Sequence, residues 1–349
     1  MSEPVKIIST FNVGKILSFG ELLLRICPDT DGNWLKENTL PFYVGGAELN
    51  VATALALWDL PSAYFTALPE NMLSEHIVHY LRLKNVDTSN ILYQGDRIGT
   101  YYLPKGKDLK NAGVIYDRNY SSFAGLQPKT IDWDAVFTDV SWFHFSAICP
   151  AINQNIAAVC EEALQAASER NIFISLDLNY RAKLWKYGKQ PIDIMPNLAK
   201  YCDLIMGNVW AANQMLGTDV DENIHKIGTK ENYLNHAVKT SEAIIKNYPK
   251  CKYVANTFRF GDPEIEYYTT VFTDGKLEVS QEYSSAHIVD KVGSGDCFMA
   301  GLIYGLYKKQ PVKEALEFAT AAAYGKLFIE SDATTMSVEE VKRTIKNEQ

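Results

Sequence analysis

Residues 289–305 read Val-Asp-Lys-Val-Gly-Ser-Gly-Asp-Cys-Phe-Met-Ala-Gly-Leu-Ile-Tyr-Gly, which places two glycines and an aspartate before an uncharged, apolar run. Gly293 and Gly295 allow the backbone to turn tightly, so that successive amide N–H groups point into one concavity. The helix predicted after them adds partial positive charge at its N-terminus, and such a site suits a phosphate. Asp296 is explained there if its carboxylate accepts a proton from a hydroxyl that attacks phosphorus. The alternative is an aspartate that only caps a buried helix.

The rest of the chain predicts alternating strands and helices. Short apolar runs typical of buried parallel strands lie at residues 16–20, 63–67, 142–145, 172–177, 204–206 and 253–257. Helices are predicted at residues 47–58, 72–83, 153–170, 210–216, 231–248, 295–307, 312–328 and 338–346. This order predicts an α/β fold with ligands at the carboxyl ends of the strands. Residues 22–43 and 98–120 carry many β-forming residues without a helical period, and they predict a small inserted sheet.

Composition favours one large α/β domain over residues 1–349, because 47% of the residues are hydrophobic and no repeat or linker divides the chain. The net charge of −8 argues against nucleic acid or an anionic membrane as a partner. Six cysteines without a Cys-x-x-Cys pair are typical of reduced thiols in a cytoplasmic protein. No signal peptide or membrane span is recognised, so we expect a cytoplasmic protein.

Two motifs resemble the signatures of the ribokinase-like (PfkB) carbohydrate kinases. One is Asp290-x-Val-Gly-x-Gly-Asp296, with Ser294 where the family usually has alanine; the other is Tyr-Val-Gly-Gly-Ala-Glu-Leu-Asn-Val-Ala-Thr-Ala-Leu-Ala at residues 43–56. Within the family the chain is most similar to 2-keto-3-deoxygluconate kinases (2-dehydro-3-deoxygluconokinases), through Gly20-Glu21, Tyr116-x-Arg118 and Ser-Leu-Asp-Leu-Asn-Tyr-Arg at residues 175–181. The resemblance implies a three-layer α/β/α fold with a mostly parallel central sheet. It also implies that the inserted sheet is a lid over the sugar and a dimer surface.

The resemblance further implies a kinase that transfers a phosphoryl group from ATP to a sugar hydroxyl, with Asp296 as general base. Gly293, Ser294 and Gly295 would hold the phosphoryl group as it is transferred. Correspondence with the family adds residues to the sugar pocket, namely Gly46, Asn50 and Ile148. On the nucleotide side it adds Asn208, Thr257, Arg259, Thr320 and Ala323. The implied cofactors are ATP and Mg²⁺, and the need for a monovalent cation is left open.

The charge of the pocket residues predicts a sugar acid as substrate. Neutral-sugar kinases of the family usually carry an aspartate five residues after the first-strand glycine, and Arg25 stands at that place here. A guanidinium cannot accept a hydrogen bond from a sugar hydroxyl, but it pairs well with a carboxylate. Arg181 follows a predicted buried strand, where α/β sheets place ligands. Arg25, Arg118 and Arg181, with Tyr101 and Tyr116 as hydroxyl donors, are therefore predicted to hold a sugar acid such as 2-keto-3-deoxygluconate.

Two segments depart from the family pattern. The Asn-x-x-Glu element that helps to order magnesium appears as Asn208-Val-Trp-Ala211 and lacks the carboxylate. Mg²⁺ often keeps several waters and binds through nucleotide phosphates, so its binding need not be lost. The glycine-rich nucleotide loop is altered to Asn-Thr-Phe-Arg-Phe-Gly at residues 256–261. Two alternatives stay open: a PfkB kinase for another sugar such as fructose, and a weakly catalytic sugar-acid sensor.

Overall fold

The computed structural model describes residues 14–28, 34, 38–104, 113–221, 223–224, 228–261 and 264–347. The strands of its central sheet are β1 (Lys15–Phe19), β4 (Ser62–Phe65), β9 (Val140–Ser146), β10 (Phe173–Asp177), β11 (Leu204–Met206), β12 (Tyr253–Phe260), β13 (Ile265–Thr273), β14 (Lys276–Val279) and β15 (Tyr283–Ser285). Their order is β14-β13-β12-β11-β10-β9-β1-β4, and β15 pairs with β13. The strands from β4 to β12 are parallel, whereas β13, β14 and β15 pair antiparallel.

Helices cover both faces of this sheet. They are α1 (Ala47–Leu57), α2 (Met72–Leu83), α3 (Trp133–Val136), α4 (Gln154–Glu169), α5 (Pro191–Ala199), α6 (Val209–Leu216), α7 (Lys230–Asn247), α8 (Ser294–Tyr307), α9 (Val312–Lys326) and α10 (Val338–Asn347). One apolar cluster joins the sheet to α4, α5 and α6, and a second joins it to α1, α8 and α9. The predicted three-layer α/β/α fold with a mostly parallel sheet is therefore confirmed.

The two segments that lack a helical period form a separate sheet, as predicted. Its strands are β2 (Leu23–Ile26), β3 (Phe42–Gly45), β7 (Gly99–Tyr102) and β8 (Ile115–Asp117), in the order β3-β2-β7-β8. A third, two-stranded sheet pairs β5 (Ala67–Leu68) with β6 (Leu92–Tyr93). No helix in the described part of the chain is both long and apolar enough to cross a membrane.

The structure differs from the predicted elements in several places, and the antiparallel strands β13, β14 and β15 were not predicted. Strand β12 continues to Phe260 instead of ending at Thr257, so most of the segment compared with a nucleotide loop is strand. It continues because β13 pairs with its whole length, with Arg259 opposite Tyr267 and Phe260 opposite Glu266. Helix α5 was not predicted; Pro191 stands in its first turn, where a proline costs no hydrogen bond.

Candidate active site

The turn before α8 has the geometry of an anion site. Gly293 is the N-cap of α8 with a φ of 78°, and a Cβ there would lie 1.8 Å from the carbonyl oxygen of Asp332. Only glycine fits both conditions. Ser294 Oγ donates a hydrogen bond of 3.0 Å to the carbonyl oxygen of Ala323, which ties the turn to α9. The first amide groups of α8 have no partner within the helix, so they remain available to an anion.

Asp296 lies in the first turn of α8, and its carboxylate is buried and oriented. Asn50 Nδ2, from α1, donates a hydrogen bond of 2.7 Å to Asp296 Oδ2. Burial raises the pKa of Asp296 to about 6, although the bond from Asn50 and the positive charge of Arg181 oppose the shift. The carboxylate is therefore ionised near neutral pH and can still gain a proton at little cost, which suits a general base.

Asp296 opens into a cavity of about 810 Å³ between the carboxyl ends of the parallel strands and the small sheet. Most of the residues predicted for the site line this cavity. On the side of the small sheet they are Gly46, Asn50, Tyr101, Tyr116, Arg118, Ile148 and Arg181; at the turn they are Gly293, Ser294, Gly295 and Asp296; on the side of β12 they are Asn208, Thr257 and Arg259. Sequence reasoning thus brought together residues from widely separated parts of the chain.

Arg25 is not among the residues that line the cavity. It is fully buried, and its Nη2 and Nε lie 2.7 Å from Asp290 Oδ2 and Asp332 Oδ1, respectively. Burial alone would lower the pKa of Arg25, but the two carboxylates outweigh it and raise the pKa. Arg25 therefore does not lie where it was predicted. It bridges Asp290, which precedes the turn at Gly293, and Asp332, whose carbonyl oxygen lies against Gly293.

Arg118 lines the cavity, but an acid already pairs with it. Its Nε donates to Glu21 Oε2 at 2.7 Å, its Nη2 donates to the same oxygen, and Ser121 donates to Glu21 Oε1. Tyr101 likewise donates its hydroxyl to Asp332 Oδ2 at 3.0 Å. Arg181 is half-buried and donates to the carbonyl oxygen of Tyr180 at 3.1 Å. Of the two arginines predicted for the sugar acid that line the cavity, Arg118 is paired with a carboxylate, whereas Arg181 makes no ion pair within the described residues and is therefore the more accessible to a substrate acid.

Of the residues predicted for the nucleotide side, some line the cavity and others do not. Asn208 is the N-cap of α6 and accepts a hydrogen bond of 2.8 Å from the amide of Ala211. Thr257 and Arg259 line the cavity from β12. Thr320 and Ala323 do not line it: the Thr320 hydroxyl is 2.6 Å from Thr269 Oγ1, and Ala323 is buried beneath Ser294.

Four further acids line the cavity, and sequence reasoning gave none of them a role: Glu21, Glu48, Asp177 and Asp332. Burial raises the pKa of Glu48 to about 7, although Ser146 and Cys149 donate hydrogen bonds to it. Burial, followed by the nearby charge of Asp296, raises the pKa of Asp177 to about 7. The sequence could have indicated these acids, because three of the four stand within the quoted motifs. An acid in an apolar strand or helix is rarely buried unless it is paired or has a function.

The chain is similar to known proteins along almost its whole length. A model of the pfkB family carbohydrate kinases matches residues 13–337. The 2-dehydro-3-deoxygalactonokinase of Haloferax volcanii is 26% identical over 341 residues, which cover 95% of this chain and 96% of that protein. The 5-dehydro-2-deoxygluconokinase of Geobacillus thermodenitrificans is 26% identical over 308 residues, 86% of this chain and 84% of that protein. The crystal structure of 2-dehydro-3-deoxygluconokinase from Thermotoga maritima matches with a TM-score of 0.86 and 32% identity, over 95% of this chain and 99% of that one. The chain is therefore a carbohydrate kinase and belongs to the PfkB family.

Proposed function

We propose that this chain transfers the γ-phosphoryl group of ATP to the primary hydroxyl of 2-keto-3-deoxygluconate or a close sugar acid. The observation that carries the proposal is the buried Asp296 carboxylate, oriented by Asn50 at the N-terminus of α8 in a cavity that also holds Arg181. The names of the three similar proteins described above support the substrate class, because these proteins are kinases of dehydro-deoxy sugar acids.

The proposed reaction uses the chain's own groups in one displacement. Asp296 accepts the proton of the sugar hydroxyl while the hydroxyl oxygen bonds to the γ-phosphorus. The bond between that phosphorus and the bridging oxygen breaks, and ADP leaves with the electron pair. The amides at the start of α8 donate to the phosphoryl oxygens, where charge is held during transfer. Arg181 orients the substrate carboxylate, and the sheet formed by β3, β2, β7 and β8 excludes water as a lid.

Oxygen donors in the cavity fit a magnesium ion bound mainly through ATP. Mg²⁺ prefers oxygen ligands and commonly takes one or two carboxylates plus phosphates and water. Asp177 is the last residue of β10, and Asn208 follows the neighbouring strand β11, in which Met206 pairs with Asp177. Within the described residues, no group of three or more His, Cys, Asp or Glu side chains is arranged to hold a metal. When bound, the ion would neutralise charge on the phosphates.

A monovalent cation does not fit the acids beneath the turn, because two side chains already neutralise them. Arg25 bridges Asp290 and Asp332. Lys326, which is fully buried at the end of α9, donates a hydrogen bond of 3.0 Å to the carbonyl oxygen of Ile329. Burial lowers the pKa of Lys326, and the negative charges of Asp290 and Asp332 oppose that shift. The ammonium group of Lys326 therefore lies close enough to both carboxylates to interact with them. No step of the proposed reaction is therefore assigned to such an ion.

A coupled assay of ADP release across a panel of sugars tests the proposal. The panel holds 2-keto-3-deoxygluconate, 2-keto-3-deoxygalactonate, 5-keto-2-deoxygluconate, gluconate and fructose. We expect the highest kcat/KM with a 2-keto-3-deoxy acid. Fructose as the best substrate would establish the fructokinase alternative, and tight binding of sugar acids without turnover would establish the sensor.

We also propose that the chain is one kinase domain and that its lid sheet forms a dimer. Phe42 on β3 is 52% exposed and Ile115 on β8 is 50% exposed, so both edge strands of the lid carry large apolar side chains in solvent. Sedimentation velocity measures the state directly. A dimer that Phe42→Lys converts to monomers is expected, and a monomeric parent protein would refute this assembly.

A further inference from the structure

Two cavity-lining side chains stand opposite each other where β12 and β13 pair. Arg259 on β12 is the direct antiparallel partner of Tyr267 on β13, so their side chains leave the same face of the sheet. Both residues line the cavity, together with Ser294 and Gly295 at the start of α8. Tyr267 therefore faces the same part of the cavity as Arg259, beside the start of α8.

The Tyr267 side chain is buried, but its hydroxyl has no hydrogen-bond partner among the described residues. Tyr267 is 2% exposed, and its oxygen is one of the buried polar atoms without a partner. Ser294 lies near it, but Ser294 Oγ gives its proton to the carbonyl oxygen of Ala323. Burial raises the pKa of Tyr267, while Arg259 lowers it in part, so the hydroxyl keeps its proton at neutral pH. Buried tyrosine hydroxyls usually find a partner, and an unpaired one is costly.

We propose that Tyr267 binds the polyphosphate of the nucleotide by donating a hydrogen bond to a phosphate oxygen. It would act with Arg259 and the amides at the start of α8, which surround the same part of the cavity. The inference rests on the proposed ATP-dependent reaction and assigns it one more phosphate ligand. It also explains how this chain holds the phosphates without a glycine-rich loop, since β12 and β13 form a strand pair at that place. A sugar hydroxyl is a weaker candidate because the direct partner of Tyr267 on β12 is Arg259, which is one of the residues predicted for the nucleotide side.

Tyr267→Phe removes only the hydroxyl and leaves the ring packing in place. Tyr268→Phe is the matched control, because Tyr268 is 1% exposed, its hydroxyl is also unpartnered, and it does not line the cavity. Successive side chains on a strand point to opposite faces, so the control removes a like hydroxyl outside the site. Calorimetry with ATP, ADP and adenosine, together with the thermal midpoint of the free protein, reports the effect.

We expect Tyr267→Phe to weaken ATP and ADP binding about tenfold to a hundredfold, as for loss of a hydrogen bond to a charged group. Adenosine affinity, the KM for the sugar acid and the thermal midpoint should stay unchanged, and Tyr268→Phe should match the parent protein throughout. Unchanged ATP affinity in Tyr267→Phe, or an equal loss for adenosine, would overturn the inference alone. A parent protein that binds no ATP would instead overturn the proposed function on which it rests.

Discussion

At the scale of single residues, Asp296 meets two requirements of a general base at once. Its carboxylate is held in place by Asn50, and burial brings its pKa to about 6, close to the pH at which it must work. Asp296→Asn keeps the shape and removes the base. We expect kcat to fall by about 10² to 10⁴, the usual effect of general-base loss, while ATP affinity changes little. A variant that kept more than about a tenth of the parent kcat would exclude this role.

The same carboxylate predicts the acidic limb of the pH profile. Asp296 must be ionised to accept a proton, and its pKa is raised to about 6. As pH falls below that value the base becomes protonated, so log kcat/KM should decline with a slope of about one per pH unit. Measuring kcat/KM between pH 5 and 8 checks this; the limb should vanish from the residual activity of Asp296→Asn.

Arg181 and Arg118 should respond differently to replacement by methionine, although sequence reasoning treated them alike. Arg181→Met removes a half-buried cation that makes no ion pair with a carboxylate in the described part of the chain, so KM for the sugar acid should rise about tenfold to a hundredfold. Arg118→Met leaves Glu21 buried without its cation and should cost about 3 to 5 kcal/mol of stability. Urea unfolding and steady-state kinetics separate the two effects. If Arg181→Met left KM unchanged, Arg181 would not hold the substrate.

Lys326 supplies a further test at this scale. Because Arg25 and Lys326 already carry the positive charge beside Asp290 and Asp332, turnover should not depend on potassium. We expect equal kcat with K⁺ or tetramethylammonium as the only monovalent cation, at matched ionic strength. Strong and saturable activation by K⁺ would contradict the occupancy of these acids by side chains.

At the scale of elements, the sequence predicted most of the helices and most of the parallel strands. It missed residues that become strand only by pairing with another strand. The runs at β1, β9, β10 and β11 and the helices α1 and α8 carry their own apolar patterns, so they could be found locally. The end of β12 could not, because its last residues are strand only through their partners on β13. Arg25 was misplaced for a related reason: two acids distant in sequence, Asp290 and Asp332, converge on it.

The turn before α8 can be tested with two glycine substitutions. Gly293→Ala places a side chain at a φ of 78° and against the carbonyl oxygen of Asp332, so we expect a loss of about 1 to 3 kcal/mol in the free energy of unfolding. Gly295→Ala is the control, since among the described residues no atom beyond its chain neighbours and the adjacent backbone of α8 lies within 4 Å of its added Cβ. Urea unfolding should distinguish them. Equal destabilisation by both would mean that the turn does not depend on the left-handed conformation at Gly293.

At the scale of the whole molecule, the cavity gathers acids that folding buries at a cost. Glu48, Asp177 and Asp296 come from α1, β10 and α8, and burial raises the pKa of each above its usual value. A carbohydrate kinase must limit the negative charge of such acids, because the phosphates bound beside them are also negative. Their protonated forms fit the folded protein better than their ionised forms, so the site opposes folding as pH rises.

Asp177→Asn measures that opposition. Burial, followed by the nearby charge of Asp296, raises the pKa of Asp177 to about 7, so the stability that its protonated form contributes is fully present below the unfolded pKa and is lost as pH rises toward 7. Asparagine keeps the oxygen that accepts the 2.9 Å hydrogen bond from the Asn179 amide but cannot ionise. We therefore expect the variant to gain stability over the parent protein as pH rises from 5 to 8, by up to about 1.4 kcal/mol per unit of pKa shift. Asp117→Asn is the control and should show no trend over this range, because Arg97 lowers the pKa of Asp117, which is therefore ionised in both the folded and the unfolded protein above pH 5. Urea unfolding at each pH gives the comparison. If the difference in free energy of unfolding between Asp177→Asn and the parent protein did not change with pH, Asp177 would be ionised in the folded protein without an energetic penalty.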